Sequence, residues 1–163
     1  EKGYQQTLFV GIIPVETSFD FSYKFGQYYP VDKKYNGRIK FNKHFYSCVG
    51  AFDSAEEEVC AREIDCLPEV KYWVRNIDRQ PNSYRFQTST DYFYPDFIMQ
   101  LNDGRLYIVE YKGAGFYSMD DSKEKNNIGK LWQEKSNGKC LFKMVSDEKY
   151  IGKSIKAQIL EEI

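Results

Sequence analysis

YPDFIMQLNDGRLYIVEYKG, residues 94–113, decides the fold. Asn102-Asp103-Gly104 in its middle is turn chemistry, since glycine accepts a positive φ and Asn and Asp tolerate the tight backbone beside it. Apolar residues on either side, among them Phe97, Ile98, Ile108 and Val109, predict two core strands, 91–101 and 105–113, joined as a hairpin. Three polar residues interrupt this apolar text: Asp96, Glu110 and Lys112. Glu110 and Lys112 are two apart on a strand and project from one face. A hairpin turning at 102–104 brings Asp96 opposite a position near 110, so two carboxylates and one ammonium converge.

Two carboxylates held together repel, and a divalent cation removes that cost. Paired oxygen donors suit Mg²⁺, with Mn²⁺ as a substitute, because this ion keeps several waters and binds through one or two carboxylates plus phosphate oxygens. Such an ion positions a water and neutralises charge developing on a phosphodiester. Lys112 would hold that water or stabilise the oxyanion. Asp96, Glu110 and Lys112 are therefore candidate catalytic residues for phosphodiester hydrolysis, with Asp96 and Glu110 as metal ligands.

Upstream the period changes. DSAEEEVCAREIDCL, residues 53–67, opens on Asp53 or Ser54 as N-cap, carries acids in its first turn and predicts a helix over 55–66. Cys60, Ala61, Ile64 and Leu67 share its apolar face with Glu57. A carboxylate on a buried face is costly unless a cation or donor meets it. Glu57 thus either gives the metal a further oxygen, directly or through a water, or stays in solvent at the helix end. VKYWVRNI (70–77) predicts a strand with Tyr72 and Val74 on one side and Trp73 and Arg75 on the other.

Downstream, residues 120–138 predict a helix with Lys125, Ile128, Leu131 and Trp132 near one face and a stop at Asn137-Gly138. KCLFKMVSD (139–147) reads as a fourth strand and KSIKAQILEEI (153–163) as a closing amphipathic helix. Helix, three strands, helix, strand is the order of an α/β domain with a central mixed sheet flanked by helices. Trp73 and Trp132 are expected in its core rather than stacked on bases.

The N-terminal stretch reads differently. Residues 1–32 are rich in Tyr and Phe, with TLFVGIIPV (7–15) as a strand, so 1–42 is expected to be a β-rich extension of the same domain and 43–163 its core. Residues 33–52 set Lys33, Lys34, Arg38, Lys40 and Lys43 among aromatics, predicting a turn at Asn36-Gly37 and then a strand. Basic and aromatic side chains so interleaved suit a nucleic-acid backbone, which makes Lys40, Lys43 and His44 candidate DNA contacts; the alternative is a solvated sheet face.

Composition narrows the classes. Lys and Arg number 23 against 24 Asp and Glu, so the chain is no polybasic binder and any grip on nucleic acid is local. With 42% hydrophobic residues it is globular rather than disordered. No apolar run reaches the roughly 20 residues of a membrane span. Cys48, Cys60, Cys66 and Cys140 contain no CxxC pair, and His44 is the single histidine, which excludes a zinc site of paired ligands. Four unpaired thiols fit a reducing, cytoplasmic location. The chain opens on Glu1, not Met, and is expected to be part of a longer protein. Gly152-Lys153-Ser154 lacks the earlier glycine of a phosphate-binding loop, since Asp147 stands there, so no ATP site is expected.

YPDF…VEYKG is similar to the signature of the PD-(D/E)xK nuclease superfamily, with Asp96, Glu110 and Lys112 on its motif positions. Together with FDSAEEEVCAREID, VKYWVRN and IGKLW…GKCLFKMV, residues 43–146 resemble the C-terminal endonuclease domain of type III restriction (helicase–nuclease) subunits. The resemblance implies a restriction-endonuclease-like αβββαβ core that cleaves double-stranded DNA with Mg²⁺. It offers the Tyr111 carbonyl as a third metal oxygen, Glu57 as the acid of the first helix and Lys125 as an auxiliary basic residue. It also implies an upstream ATP-driven motor and a modification or specificity subunit as partners. Two alternatives stand beside it: a catalytically silent interaction module, and a resolvase- or transposase-like nuclease.

Overall fold

The computed structural model describes residues 29–81, 83–114 and 120–163, so the strand expected at 7–15 lies outside the described residues. The central hairpin forms in the register its turn dictates. Strand β4 (Phe97–Leu101) pairs antiparallel with β5 (Leu106–Lys112), Phe97 opposite Val109 and Ile98 opposite Ile108. Gly104 takes the positive φ, 90°, that the turn requires.

Two further strands complete a four-stranded mixed sheet in the order β1-β4-β5-β6. β1 (Val70–Arg75) lies antiparallel to β4, and β6 (Cys140–Ser146) lies parallel to β5. Side chains alternate across the sheet and build two cores. On one face Trp73, Phe97, Met99, Tyr107, Val109 and Val145 pack against Cys60, Ala61 and Ile64 of helix α1 (Ala55–Cys66). On the other, Ile98, Ile108, Phe142 and Met144 pack against Ile128 and Trp132 of helix α2 (Asp120–Lys135). Both tryptophans are core residues, as their faces predict. A sheet buried on both sides explains why its strands read as nearly continuous apolar runs. Gly129 lets α2 settle onto the sheet, since a Cβ there would stand 2.3 Å from the Phe142 ring.

Several expectations need correction. The strand predicted over 91–101 is broken: Tyr92–Phe93 (β3) pairs with Phe86–Gln87 (β2) as a separate two-stranded sheet, and Tyr94-Pro95-Asp96 separates it from β4. Pro95 has no N–H to give a ladder, and its carbonyl accepts from Asn76 Nδ2 at 2.9 Å. The closing helix expected over 153–163 forms as Ile155–Leu160 (α4), capped by Ser154, and a short helix that was not expected, Glu148–Ile151 (α3), precedes it and ends at Gly152 with φ 74°. The strand expected within 33–52 does not form; two isolated bridges, Lys34 to Gly50 and His44 to Trp73, stand in its place.

Side chains, not a ladder, organise that segment. Asp65 near the end of α1 is buried and accepts from the backbone N–H groups of Asn42 and Lys43 and from Trp73 Nε1, the last at 2.8 Å. Residues 43–45 are thereby laid along the outer edge of β1, where Trp73 N donates to the Lys43 carbonyl and Phe45 N to that of Trp73. Around Trp73 the edge is thereby covered. Phe41 adds an edge-on contact with Trp73, ring centroids 5.3 Å apart. The four cysteines are free thiols, with Cys60 and Cys140 buried and Cys66 exposed.

Asp65→Ala is expected to leave three N–H donors without their acceptor. Trp73 Nε1 is the buried one of the three, the Asn42 and Lys43 N–H groups being part-buried, so at about 1–3 kcal/mol per unsatisfied buried group the loss is about 1–3 kcal/mol in urea denaturation. Asp65→Asn, keeping one acceptor oxygen, should fall between wild type and alanine.

Candidate active site

The site begins where the hairpin ladder runs out. Beyond the Phe97–Val109 pair, the next residues in register are Asp96 and Glu110. Asp96 N donates to Glu110 Oε2 at 3.0 Å, and Tyr111 N donates to Asp96 Oδ2 at 2.9 Å. Each carboxylate thus takes a backbone N–H from the opposite segment, and the predicted convergence of the two acids is present. Lys112 completes it, Nζ 2.9 Å from Glu110 Oε1.

Burial sets the electrostatics. Glu110 is 5% exposed, and burial followed by the repulsion of Asp96 pushes its carboxyl well above the usual range, against the pull of Lys112. Burial works against the Lys112 ammonium, yet the Glu110 carboxylate outweighs it and raises the Lys112 pKa. Lys112 is the less enclosed partner, its side chain 18% exposed.

Glu57 enters from the other face of the sheet. Its side chain is 12% exposed, so the helix-end solvent reading is set aside, but the group it meets is Arg75. Arg75 NH2 donates to Glu57 Oε2 at 3.1 Å, while NH1 donates to Asp96 Oδ1 at 3.1 Å and to the Asp96 carbonyl at 3.3 Å. Glu57 also accepts from Asp53 N at 3.1 Å. Burial, then the Asp96 charge, lift the Glu57 carboxyl to about 7 in spite of Arg75.

Arg75 is the residue the sequence reading missed. It is 6% exposed, flanked by the Phe52 and Phe97 rings at 5.8 and 5.7 Å. Its backbone is fixed too: Arg75 N donates to His44 Nε2 at 3.1 Å and its carbonyl accepts from Tyr29 Oη at 2.6 Å. Two signals pointed to it, the inward Glu57 in need of a cation and a β1 cation on the face of Trp73.

The remaining candidates are placed as follows. Lys125 forms an ion pair with Asp121 at 2.8 Å and lies 5.4 Å from the Phe93 ring centroid. With Asp96, Arg75, Asp53 and Tyr94 it lines an open cleft of about 450 Å³. Lys43 caps the end of α1 by donating its ammonium to the Leu67 carbonyl. His44 accepts from Arg75 N on Nε2 and faces the Tyr46 carbonyl through Nδ1 at 3.0 Å, which fixes the proton on Nδ1. Burial lowers its pKa to about 4, so it is neutral at pH 7 and brings no charge to a phosphate. Lys43 and His44 therefore have structural tasks, and of the three expected DNA contacts Lys40 is the exposed one.

As a donor set, Asp96 and Glu110 offer hard oxygens in apposition, each with lone pairs beyond those already engaged. Among the described residues no three His, Cys, Asp or Glu side chains come together to hold a metal. Two carboxylates fit Mg²⁺, which completes its shell with water.

Between about 4.5, where an unfolded glutamate loses its proton, and about 7, the folded chain holds a proton on Glu57 that the unfolded chain has released. Stability contributed by protonated Glu57 is complete below this window and is lost as pH rises through it. Melting temperature without divalent metal should therefore fall from about pH 5 to about pH 7.5, and Glu57→Gln should flatten the slope over that interval. A wild-type slope unchanged in Glu57→Gln would contradict the assignment.

Compared with known proteins, the chain matches no family model, no curated protein and no solved structure.

Proposed function

We propose that this chain is a Mg²⁺-dependent endodeoxyribonuclease domain with a restriction-endonuclease-like core that hydrolyses DNA phosphodiester bonds. One observation carries the reading: Asp96 and Glu110 are locked face to face by reciprocal bonds to backbone N–H groups, with the Lys112 ammonium beside them. A buried pair of like charges is costly to fold, and a site that binds a cation and a phosphate gives it a use.

Asp96 and Glu110 would hold the ion, with the Tyr111 carbonyl as a further oxygen. Bound Mg²⁺ would supply charge neutralisation for the phosphodiester and lower the pKa of a coordinated water. Lys112, exposed enough to leave Glu110, orients the attacking water or meets charge on the phosphoryl oxygens. Asp96, held through both carboxylate oxygens, gives the constellation its rigidity. The cleft bordered by Asp96 and Lys125 would give a strand its approach to Asp96.

The net charge of −1 means weak phosphate-backbone affinity in isolation, so double-stranded DNA would be delivered by an upstream helicase motor and a modification or specificity subunit. That arrangement, and a cytoplasmic setting, belong to the same proposal. No helix among the described residues is long and apolar enough to cross a membrane. A catalytically silent module is the second reading, favoured by the ion pairs that already engage both acids, Asp96 with Arg75 and Glu110 with Lys112.

Supercoiled-plasmid nicking at low salt separates the two. Wild type with Mg²⁺ or Mn²⁺ should nick slowly and without strong sequence preference. Asp96→Ala and Lys112→Ala, checked as folded by circular dichroism, should each lose roughly 100-fold or more, the scale of removing one transition-state stabiliser. Equal nicking by all three proteins would remove the site from the reaction.

A further inference from the structure

Resting on the nuclease reading, we infer that Arg75 occupies the place of a second metal ion, so that the site takes a single divalent cation, on Asp96 and Glu110, while Glu57 serves to hold Arg75. In a two-metal site the ions stand only about 3.5–4 Å apart, so one acid would have to reach both. Asp96 is the only acid placed to be shared here, because it alone among the three inward acids contacts both sides: its Oδ2 takes Tyr111 N from β5, and its Oδ1 takes Arg75 NH1 from β1. The outward side of Asp96, where a second ion would lie between it and Glu57, is filled by the guanidinium, 3.1 Å from each acid.

A guanidinium stays charged at every accessible pH, so Arg75 is a permanent cation in that gap. It is also hard to displace. The side chain is buried between Phe52 and Phe97, and its own backbone is tied to His44 and Tyr29. Lys112 differs on each count, being a flexible ammonium with one carboxylate partner and some access to solvent. Of the two internal cations, Lys112 can yield to a metal ion or follow a phosphate, and Arg75 cannot. Two cations already stand among the three inward acids, so a second divalent ion would make the pocket strongly positive before substrate entered.

Arg75 is thus a positioning residue. It orients Asp96 through the carboxylate and the carbonyl together, and it turns Glu57 away from the metal.

Mn²⁺ titration of the full 163-residue chain by calorimetry, with water-proton relaxation as a second readout, tests this without reference to cleavage. Wild type should bind one equivalent. Glu57→Gln should also bind one, with affinity within about tenfold of wild type, a change no larger than about 1.4 kcal/mol. Asp96→Asn should bind none. Arg75→Gln, if circular dichroism shows it folded, should gain a second, weaker equivalent as Asp96 and Glu57 become free to share an ion. Two equivalents in wild type, or a larger loss of affinity in Glu57→Gln, would overturn the inference and leave the nuclease reading standing. No Mn²⁺ bound by wild type would remove the metal reading and this inference with it. If Arg75→Gln does not fold, the stoichiometries of wild type and Glu57→Gln decide.

Discussion

Two hydrogen bonds at the open end of the hairpin, Asp96 N to Glu110 Oε2 and Tyr111 N to Asp96 Oδ2, hold the candidate site together. Pro95 stands two residues before β4 begins, and side-chain carboxylates take over where the β4–β5 ladder ends. Hydrogen bonding that would otherwise only stabilise a sheet here also positions acids. The consequence is a rigid pair of carboxylates on the most deeply packed strands of the domain, where an unpaired charge is least tolerated.

The surroundings answer that electrostatic demand from both sides of the sheet. On the α2 face Lys112 meets Glu110; on the α1 face Arg75 meets Asp96 and Glu57. The scaffolding around Arg75 then makes sense of features that look unrelated in the sequence. Asp65 fixes residues 42–43, which carry His44 to the edge of β1, where it holds the Arg75 backbone. Tyr29, whose ring lies 5.5 Å from that of His44, holds the Arg75 carbonyl and also accepts from Gly50 N. A stretch that reads as a basic strand for DNA is, in its second half, a bracket for one arginine.

Legibility followed the range of the interactions. The hairpin, helix 55–66 and the two tryptophans of the core were readable because turn chemistry, capping and periodicity are local in sequence. The convergence of Asp96 with Glu110 was readable because a hairpin register links them. The role of Arg75 was not, since its partners lie 18 and 21 residues away on different elements, although its place on the Trp73 side of β1 already pointed inward. The bracket 41–46 escaped for the same reason, its hydrogen bonds running to Asp65, Leu67 and Trp73. The split of strand 91–101 was marked by Pro95, yet the short β2–β3 pair had no alternation long enough to show.

Thermal unfolding of wild type and Glu110→Gln near pH 8, with and without Mg²⁺, probes the buried carboxylate pair most directly. If the pair is a cation site, Mg²⁺ raises the wild-type melting temperature, by roughly 5 °C once the ion exceeds its dissociation constant about 100-fold. Glu110→Gln, which removes one of the two ligand carboxylates, gains little from the ion. An equal Mg²⁺ response in both proteins, or none in wild type, would contradict the assignment of Asp96 and Glu110 as the ion's ligands.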